Sequence, residues 1–275
     1  MNDFSREVTD AGIDRVRIEI GAGLVEILPT EGEQTHATLE VVDGAVEDAT
    51  FKVVGGELVV ELPKHLMRRS AEVVVRITTP VALAARIKTG SGDIVADAPL
   101  REARMSAGSG DIRVERAEGV LAVSAGSGNI RLQHAAGPVR ANTGSGAIEI
   151  ATAEALVAAS TGSGDVRIGE AAGPTTVKVG SGDITIERIR DHSVAISGSG
   201  DVRIELADGP SIRVETARGD IQIGVPDGVP TYLDLKTVTG DIACELEPGD
   251  QPAEGERSLI LRARTVSGDI SILRV

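Results

Sequence analysis

The sequence predicts an all-β fold: a parallel β-solenoid, or β-helix, with 18-residue coils, two short strands per coil and irregular N-terminal capping strands. Three observations predict it. A Gly-Ser-Gly motif recurs at constant spacing, aliphatic residues alternate with period two after each recurrence, and aromatic residues are nearly absent, with two Phe, one Tyr and no Trp.

The closing glycine of the motif falls at Gly92, Gly110, Gly128, Gly146, Gly164, Gly182 and Gly200, always 18 residues apart. Gly219, Gly240 and Gly268 take the same slot before Asp-Ile, at intervals of 19, 21 and 28. A fixed period marks a stack of like units, each burying its apolar face against the next. Eighteen residues are too few for a βαβ unit of roughly 30 or more. They suffice for one coil whose strands pair, parallel and in register, with their equivalents in the next.

The positions two and four after the closing glycine are aliphatic, as in Ile112/Val114, Ile130/Leu132, Ile184/Ile186 and Ile221/Ile223. Alternation of β-branched residues marks a strand with one buried face. A second alternating run follows in each coil, as in Leu121/Val123, Val139/Ala141 and Val157/Ala159, after a turn at Gly119, Gly137, Gly173 or Gly209. Stacked coils then carry continuous apolar ladders, roughly 4.8 Å per step. Filling these thin cores with Ile, Val, Leu and Ala explains the missing aromatics. A left-handed hexapeptide helix fails as an alternative, because its rule of an aliphatic every six residues meets Glu118 and Ser124 after Ile112. A calcium-binding β-roll fits poorly, because one half of each coil lacks the glycine and Asp it requires.

Residues 1–12 are expected to form a flexible N-terminus, 13–89 an irregular β capping region continuous with the solenoid, and 90–275 the regular repeats with a loop near 247–257. Strands are predicted at 16–20, 24–28, 38–42, 51–54, 58–62 and 73–78, punctuated by Pro29, Gly44, Gly55-Gly56 and Pro63. Asp191–Ile196 places its apolar residues off phase, and a β-bulge would restore the register. The chain stops five residues after Ile270 on a strand of the repeat type. Two readings of that edge stay open: it pairs with another subunit, or the excursion near 247–257 folds over it.

The formal charge of −14 opposes binding to nucleic acid and to anionic lipid. The single cysteine, Cys244, leaves no internal disulfide framework and reads as a small buried apolar residue. No leader pattern opens the sequence, and no run approaches the ~20 apolar residues of a membrane span. The expectation is a cytoplasmic protein without membrane insertion or cofactor.

Repeated Gly-Ser-Gly-Asp-Val-Arg-Ile, at Gly162–Ile168 and Gly198–Ile204, resembles the bacterial β-strand-repeat domain family of unknown function labelled putative adhesin. Leu233–Thr237 leading to Gly240-Asp241-Ile242, and Arg262–Thr265 leading to Ser267–Ile270, resemble the C-terminal part of its members. The resemblance covers roughly residues 13–275. It implies a β-solenoid and brings no catalytic residues with it.

The candidate chemistry is sparse. Asp93, Asp111, Asp165, Asp183 and Asp201 stack in one column with Asp220, Asp241 and Asp269, interrupted by Asn129 and Ala147. Such a row offers carboxylates to calcium. The structural alternative, favoured by the interruptions, has each Asp capping its own turn. Arg218-Gly219-Asp220 spells an integrin-type tripeptide, of which only Arg218 lies outside the repeat pattern. His36, His65, His134 and His192 share no metal-ligand spacing. Outside the first strand, Arg113, Arg131, Arg167 and Arg203 are flanked by Glu115, Glu187 and Glu205. Outside the second, Ser106, Ser124, Asn142, Ser160 and Thr176, with Val194 and Ile196 in the off-phase coil, form the candidate interaction face. The function expected is a non-enzymatic structural or interaction scaffold that binds a protein partner or self-associates through the solenoid end. The alternatives are a surface adhesin exported by an unrecognised route and a degenerate carbohydrate-active solenoid enzyme.

Overall fold

The computed structural model describes residues 5–43, 49–63, 72–246 and 257–275. The chain divides into two compact units, Met1–Pro138 and Val139–Val275. Every regular element among the described residues is a strand.

Among its described residues the first unit holds thirteen strands. They are β1 (Ser5–Asp10), β2 (Arg15–Ile20), β3 (Ala22–Pro29), β4 (Thr35–Asp43), β5 (Thr50–Val54), β6 (Glu57–Glu61) and β7 (Glu72–Thr79). The repeats follow with β8 (Leu83–Thr89), β9 (Asp93–Ala96), β10 (Leu100–Ala107), β11 (Ile112–Ala117), β12 (Leu121–Ala125) and β13 (Ile130–Ala135). β8, β10 and β12 pair in parallel along one side, and β9, β11 and β13 along the other. Equivalent residues face each other, Ile112 opposite Ile130 and Met105 opposite Val123, so the aliphatic columns become buried ladders.

The coils of this unit are not stacked in chain order. β2 lies between β6 and β8, and β3 between β7 and β9, all parallel. The coil of β6 and β7, later in sequence, is therefore the outer one. Antiparallel strands cover it: β5 on β6, β4 on β7, and β1 on β4. Residues 1–12 were expected to be flexible, yet Ser5–Asp10 is a strand on the outer edge of β4. Its side chains are exposed or half-buried throughout, so no apolar alternation betrays it in the sequence.

The second unit holds β14 (Val139–Thr143), β15 (Ile148–Ala153), β16 (Val157–Ser163), β17 (Val166–Ala171), β18 (Thr175–Ser181), β19 (Ile184–Ile189) and β20 (Ser193–Ser199). It continues with β21 (Val202–Ala207), β22 (Ser211–Arg218), β23 (Ile221–Val225), β24 (Thr231–Lys236), β25 (Ile242–Cys244), β26 (Leu259–Ser267) and β27 (Ile270–Arg274). Even-numbered strands up to β22 form one parallel ladder and odd-numbered strands up to β23 the other.

The last coil in sequence is not the last in space. β26 pairs with β22 on one side and β24 on the other, and β27 sits likewise between β23 and β25. The chain passes over one coil position, lays down β24 and β25, and returns to fill the gap. The inner place goes to Leu259, Leu261, Ala263, Ile270 and Ile272, all at most 1% exposed. The outer place goes to a coil that carries Asp234, Lys236 and Cys244. The expected uncovered edge after Ile270 is thus corrected: strands flank β27 on both sides, and among the described residues the open edge is β24 and β25. Most of the excursion expected near 247–257 lies outside the described residues.

The off-phase coil is also corrected. β20 pairs with β18 and β22 without a bulge, Thr176 facing Val194 and Lys178 facing Ile196. Ser193, Ala195 and Ser197 point inward and are buried, while Val194 and Ile196 point out and are half-buried. The cross-coil register holds because small inward residues still fit the core, and the Ser197 hydroxyl donates to the Gly182 carbonyl at 3.1 Å.

Candidate functional site

The Asp column forms a backbone ladder. Within the first unit, Asp93 Oδ1 accepts the N–H of Asp111, and Asp111 Oδ1 that of Asn129, both at 2.8 Å. Within the second, Asp165 accepts from Asp183 at 3.0 Å, Asp183 from Asp201 and Asp201 from Asp220 at 2.8 Å. The ladder then follows space rather than sequence: Asp220 accepts from Asp269, and Asp269 from Asp241. Each carboxylate caps the neighbouring coil, not its own turn as expected. Among the described residues no group of three or more His, Cys, Asp or Glu is placed to hold a metal ion. Asp201→Ala should therefore cost about 1 kcal/mol in denaturant unfolding. Asp201→Asn, which keeps the acceptor oxygen, should stay within about 0.5 kcal/mol of the parent. Added calcium should leave the parent melting temperature unchanged; a rise lost in Asp201→Asn would restore the calcium reading.

A second polar column escaped the sequence reading. Three residues before six of the ten closing glycines, Thr89, Thr143, Thr161, Ser197, Thr216 and Thr265 are buried. Thr161, Ser197, Thr216 and Thr265 donate to the closing-glycine carbonyl of the preceding coil, Gly146, Gly182, Gly200 and Gly219, at 2.9–3.1 Å. The recurrence of Thr just before Gly-Ser-Gly was the available signal. Arg218-Gly219-Asp220 is absorbed by these devices, since Asp220 gives its N–H to Asp201 and takes that of Asp269.

The outer faces divide by unit. In the first, Ser106 lies opposite Ser124. In the second, Asn142 lies opposite Ser160 and takes its hydroxyl proton at 2.8 Å. Lys178 then separates Ser160 from Ile196, while Thr176 adjoins Val194. The face is therefore less uniform than the residue types implied. On the other side, Arg113 lies within 3.6 Å of Glu115, and Arg203 within 3.4 Å of Glu205.

Among the described residues, a shallow groove in each unit bears on the enzyme alternative. In the second, a groove of about 580 Å³ is lined by Arg188, Arg203, Glu205, Leu206 and Leu273 among others. Its carboxylate, Glu205, accepts from Arg203 at 3.4 Å. In the first, a groove of about 330 Å³ includes Arg86, Arg104, Glu57 and Glu102. Glu57 is held by Arg17 at 3.3 Å. Glycoside hydrolysis generally needs two cooperating carboxylates. Among the described residues, Glu102 is the one that lines either groove without an ion-pair partner. His36 is tied to Thr9 at 2.9 Å, His65 lies outside the described residues, and His134 and His192 belong to different units. Among the described residues no helix is long and apolar enough to cross a membrane.

The most distinctive surface is the open coil of the second unit. β24 and β25 are each paired on one side only among the described residues. Leu233 and Ile242 continue the inward columns of Leu261 and Ile270, yet are 38% and 46% exposed, where Leu261 and Ile270 are at 0%. Tyr232 and Val238 add 48% and 68% exposure. Cys244, expected to be buried, is exposed because its coil is the outermost.

This architecture is that of a parallel-coil β-solenoid. The chain belongs to the family described as putative auto-transporter adhesin, head GIN domain, whose sequence profile matches residues 17–223. No curated protein sequence matches it. Three solved structures are similar along nearly the whole chain. A putative adhesin from Bacteroides fragilis is 13% identical, with 98% of this chain and 97% of that one covered and a TM-score of 0.45. A putative adhesin from Parabacteroides merdae is 11% identical, with 99% and 96% covered and a TM-score of 0.44. A protein from Parabacteroides distasonis described as a putative lipid binding protein is 14% identical, with 100% and 97% covered and a TM-score of 0.44.

Proposed function

We propose that the chain is a non-enzymatic interaction scaffold whose contact surface is the open coil of its second unit, β24 and β25. One observation carries this reading: side chains that continue buried columns, Leu233 and Ile242, are left 38% and 46% exposed beside Tyr232 and Val238. A one-sided strand with uncovered apolar residues is a template for pairing with another chain. Membership of a family described by adhesion supports a contact-making role over a catalytic one.

The single cysteine provides the test, because Cys244 lies on this coil and is the one thiol in the chain. In native host cells, maleimide labelling of Cys244 should be slowed at least about tenfold relative to the purified, dilute protein. Equal rates in both settings would overturn the reading, since nothing would then cover the edge. The same reagents address location. An exposed, unpaired thiol suits a reducing compartment, which favours the cytoplasm over the cell surface that the family description evokes. A membrane-impermeant maleimide should then fail to label intact cells where a permeant one succeeds.

A further inference from the structure

We propose that the occupant of this edge is a second copy of the chain, seated about a two-fold axis that passes through Leu235. The inference rests on the preceding reading of β24 and β25 as a contact surface. It is carried by the pattern of side chains along β24 and its continuation to Val238.

Along β24, Thr231, Leu233 and Leu235 continue the inward columns of Leu259, Leu261 and Ala263, while Tyr232, Asp234 and Lys236 point outward beside Ile260, Arg262 and Arg264. A symmetric contact uses the same patch on both copies, so the two β24 strands meet antiparallel. Inward residues must then face inward residues and outward ones outward. Any register centred on a residue satisfies this, and those centred on Leu233, Asp234 and Leu235 keep most of the strand paired. Centring on Asp234 sets that carboxylate against its own copy, a like-charge contact. Centring on Leu233 sets Tyr232 against Asp234 and leaves Lys236 without an opposite charge. Centring on Leu235 sets Asp234 of each copy against Lys236 of the other, twice over. It also sets Tyr232 against Val238 and Leu235 against its own copy. Only this register pairs both charges and covers the 48% and 68% exposed apolar residues together.

The charge pattern is what favours self-pairing over an unrelated strand. The whole chain carries −14, which opposes association elsewhere on its surface, but β24 carries one acid and one base, with Arg262 and Arg264 beside them on the same face and Arg264 2.8 Å from Asp234, so this patch lacks the acidic excess of the whole. The two-fold axis runs along the sheet normal, so it also brings β25, in the opposite sheet, toward its own copy. In the first unit antiparallel β4 and β5 cover the outer coil, and among the described residues the strands paired on one side only are β1 and β5.

The test is sedimentation of the full-length chain over a concentration series, with four proteins compared. The parent should dimerise. Asp234→Lys and Lys236→Asp each make the facing charges alike and should weaken the dimer at least about tenfold. The double variant Asp234→Lys/Lys236→Asp should recover most of the parental affinity, a rescue that misfolding cannot produce. All four should melt within a few degrees of one another, since both side chains are exposed and the Arg264–Asp234 ion pair that the Asp234 variants lose is a surface pair worth about 1 kcal/mol or less. A dimer indifferent to all three variants would overturn the Leu235 register. A parent that stays monomeric while Cys244 remains shielded in host cells would overturn the second copy and leave the contact-surface reading standing, with another protein as occupant. A monomer with an unshielded Cys244 would remove both.

Discussion

Replacing Gly128 by valine should collapse the stability of the first unit, whereas replacing its neighbour Ser127 by alanine should go almost unnoticed. A Cβ built on Gly128 would lie 1.9 Å from the carbonyl oxygen of Gly110 and 2.5 Å from its carbon. Both are backbone atoms, so no side-chain rotation relieves the clash. The coil would have to move away from its neighbour, and the ladder bonds on either side of the turn would stretch with it: Ser127 N–H to Gly108, and Ile112 N–H to the Asn129 carbonyl. Overpacking alone costs roughly 1–3 kcal/mol, and the lost backbone bonds add to it, so a loss of at least about 3 kcal/mol is expected. Gly128→Ala already introduces the offending carbon and should fall near Gly128→Val. The Ser127 side chain is exposed, so Ser127→Ala should stay within about 0.5 kcal/mol. Thermal and urea unfolding of the three variants measure this directly. A Gly128→Val protein as stable as the parent would mean that adjacent coils are not in contact at this turn.

The glycine result separates two reasons for the same residue. In the second unit the closing glycines Gly164, Gly182, Gly200, Gly219, Gly240 and Gly268 have φ between 137° and 153°, in the region that side chains avoid. Gly128 does not share that conformation, and what forbids a side chain there is the approach of the next coil. The sequence reports that glycine is used, not which of the two constraints is acting.

The parts that could be read from sequence are those repeated in every coil. The 18-residue period and the Ile/Val pairs specify parallel in-register strands, because a one-residue slip would turn every aliphatic side chain outward. The six strands expected before residue 89 all appear, five of them lengthened by one to three residues at an end and the one expected at 58–62 shifted by one residue to Glu57–Glu61. The parts that could not be read depend on which coil lies beside which. Ala117 and Ala135 in the first unit, and Ala153, Ala171, Ile189 and Ala207 in the second, form a further buried column beyond the two aliphatic positions. Two outward residues, such as Glu115 and Arg116, precede each of them and break the period-two pattern that would have disclosed it. The Asp column was seen, but its hydrogen bonds join different coils, and that requires knowing the stack. Cys244 was placed in the correct column and given the wrong exposure for the same reason: its column is buried everywhere except at the open end.

The reversed order of the last two coils makes the sharpest separation between chain order and spatial order. Ile270→Ala should cost about 3 kcal/mol, and Ile242→Ala about 1 kcal/mol or less, in protein diluted until it is monomeric. The two residues occupy one column and face each other across β25 and β27. Stacking in chain order would put Ile242 between two coils and Ile270 at the exposed end, so the larger loss would fall on Ile242. The structure puts Ile270 between Ile221 and Ile242 with no exposure, while Ile242 keeps 46%. Removing three carbons from Ile270 leaves a cavity walled on both sides, and neighbours held in register cannot close it. Removing them from Ile242 chiefly subtracts surface that water already reaches. Hydrogen exchange supplies an independent reading of the same order, since the amides of β26 should outlast those of β24. Concentration adds a further sign: under the proposed self-pairing Ile242 loses its solvent as the protein is concentrated, and the cost of Ile242→Ala should rise toward that of Ile270→Ala.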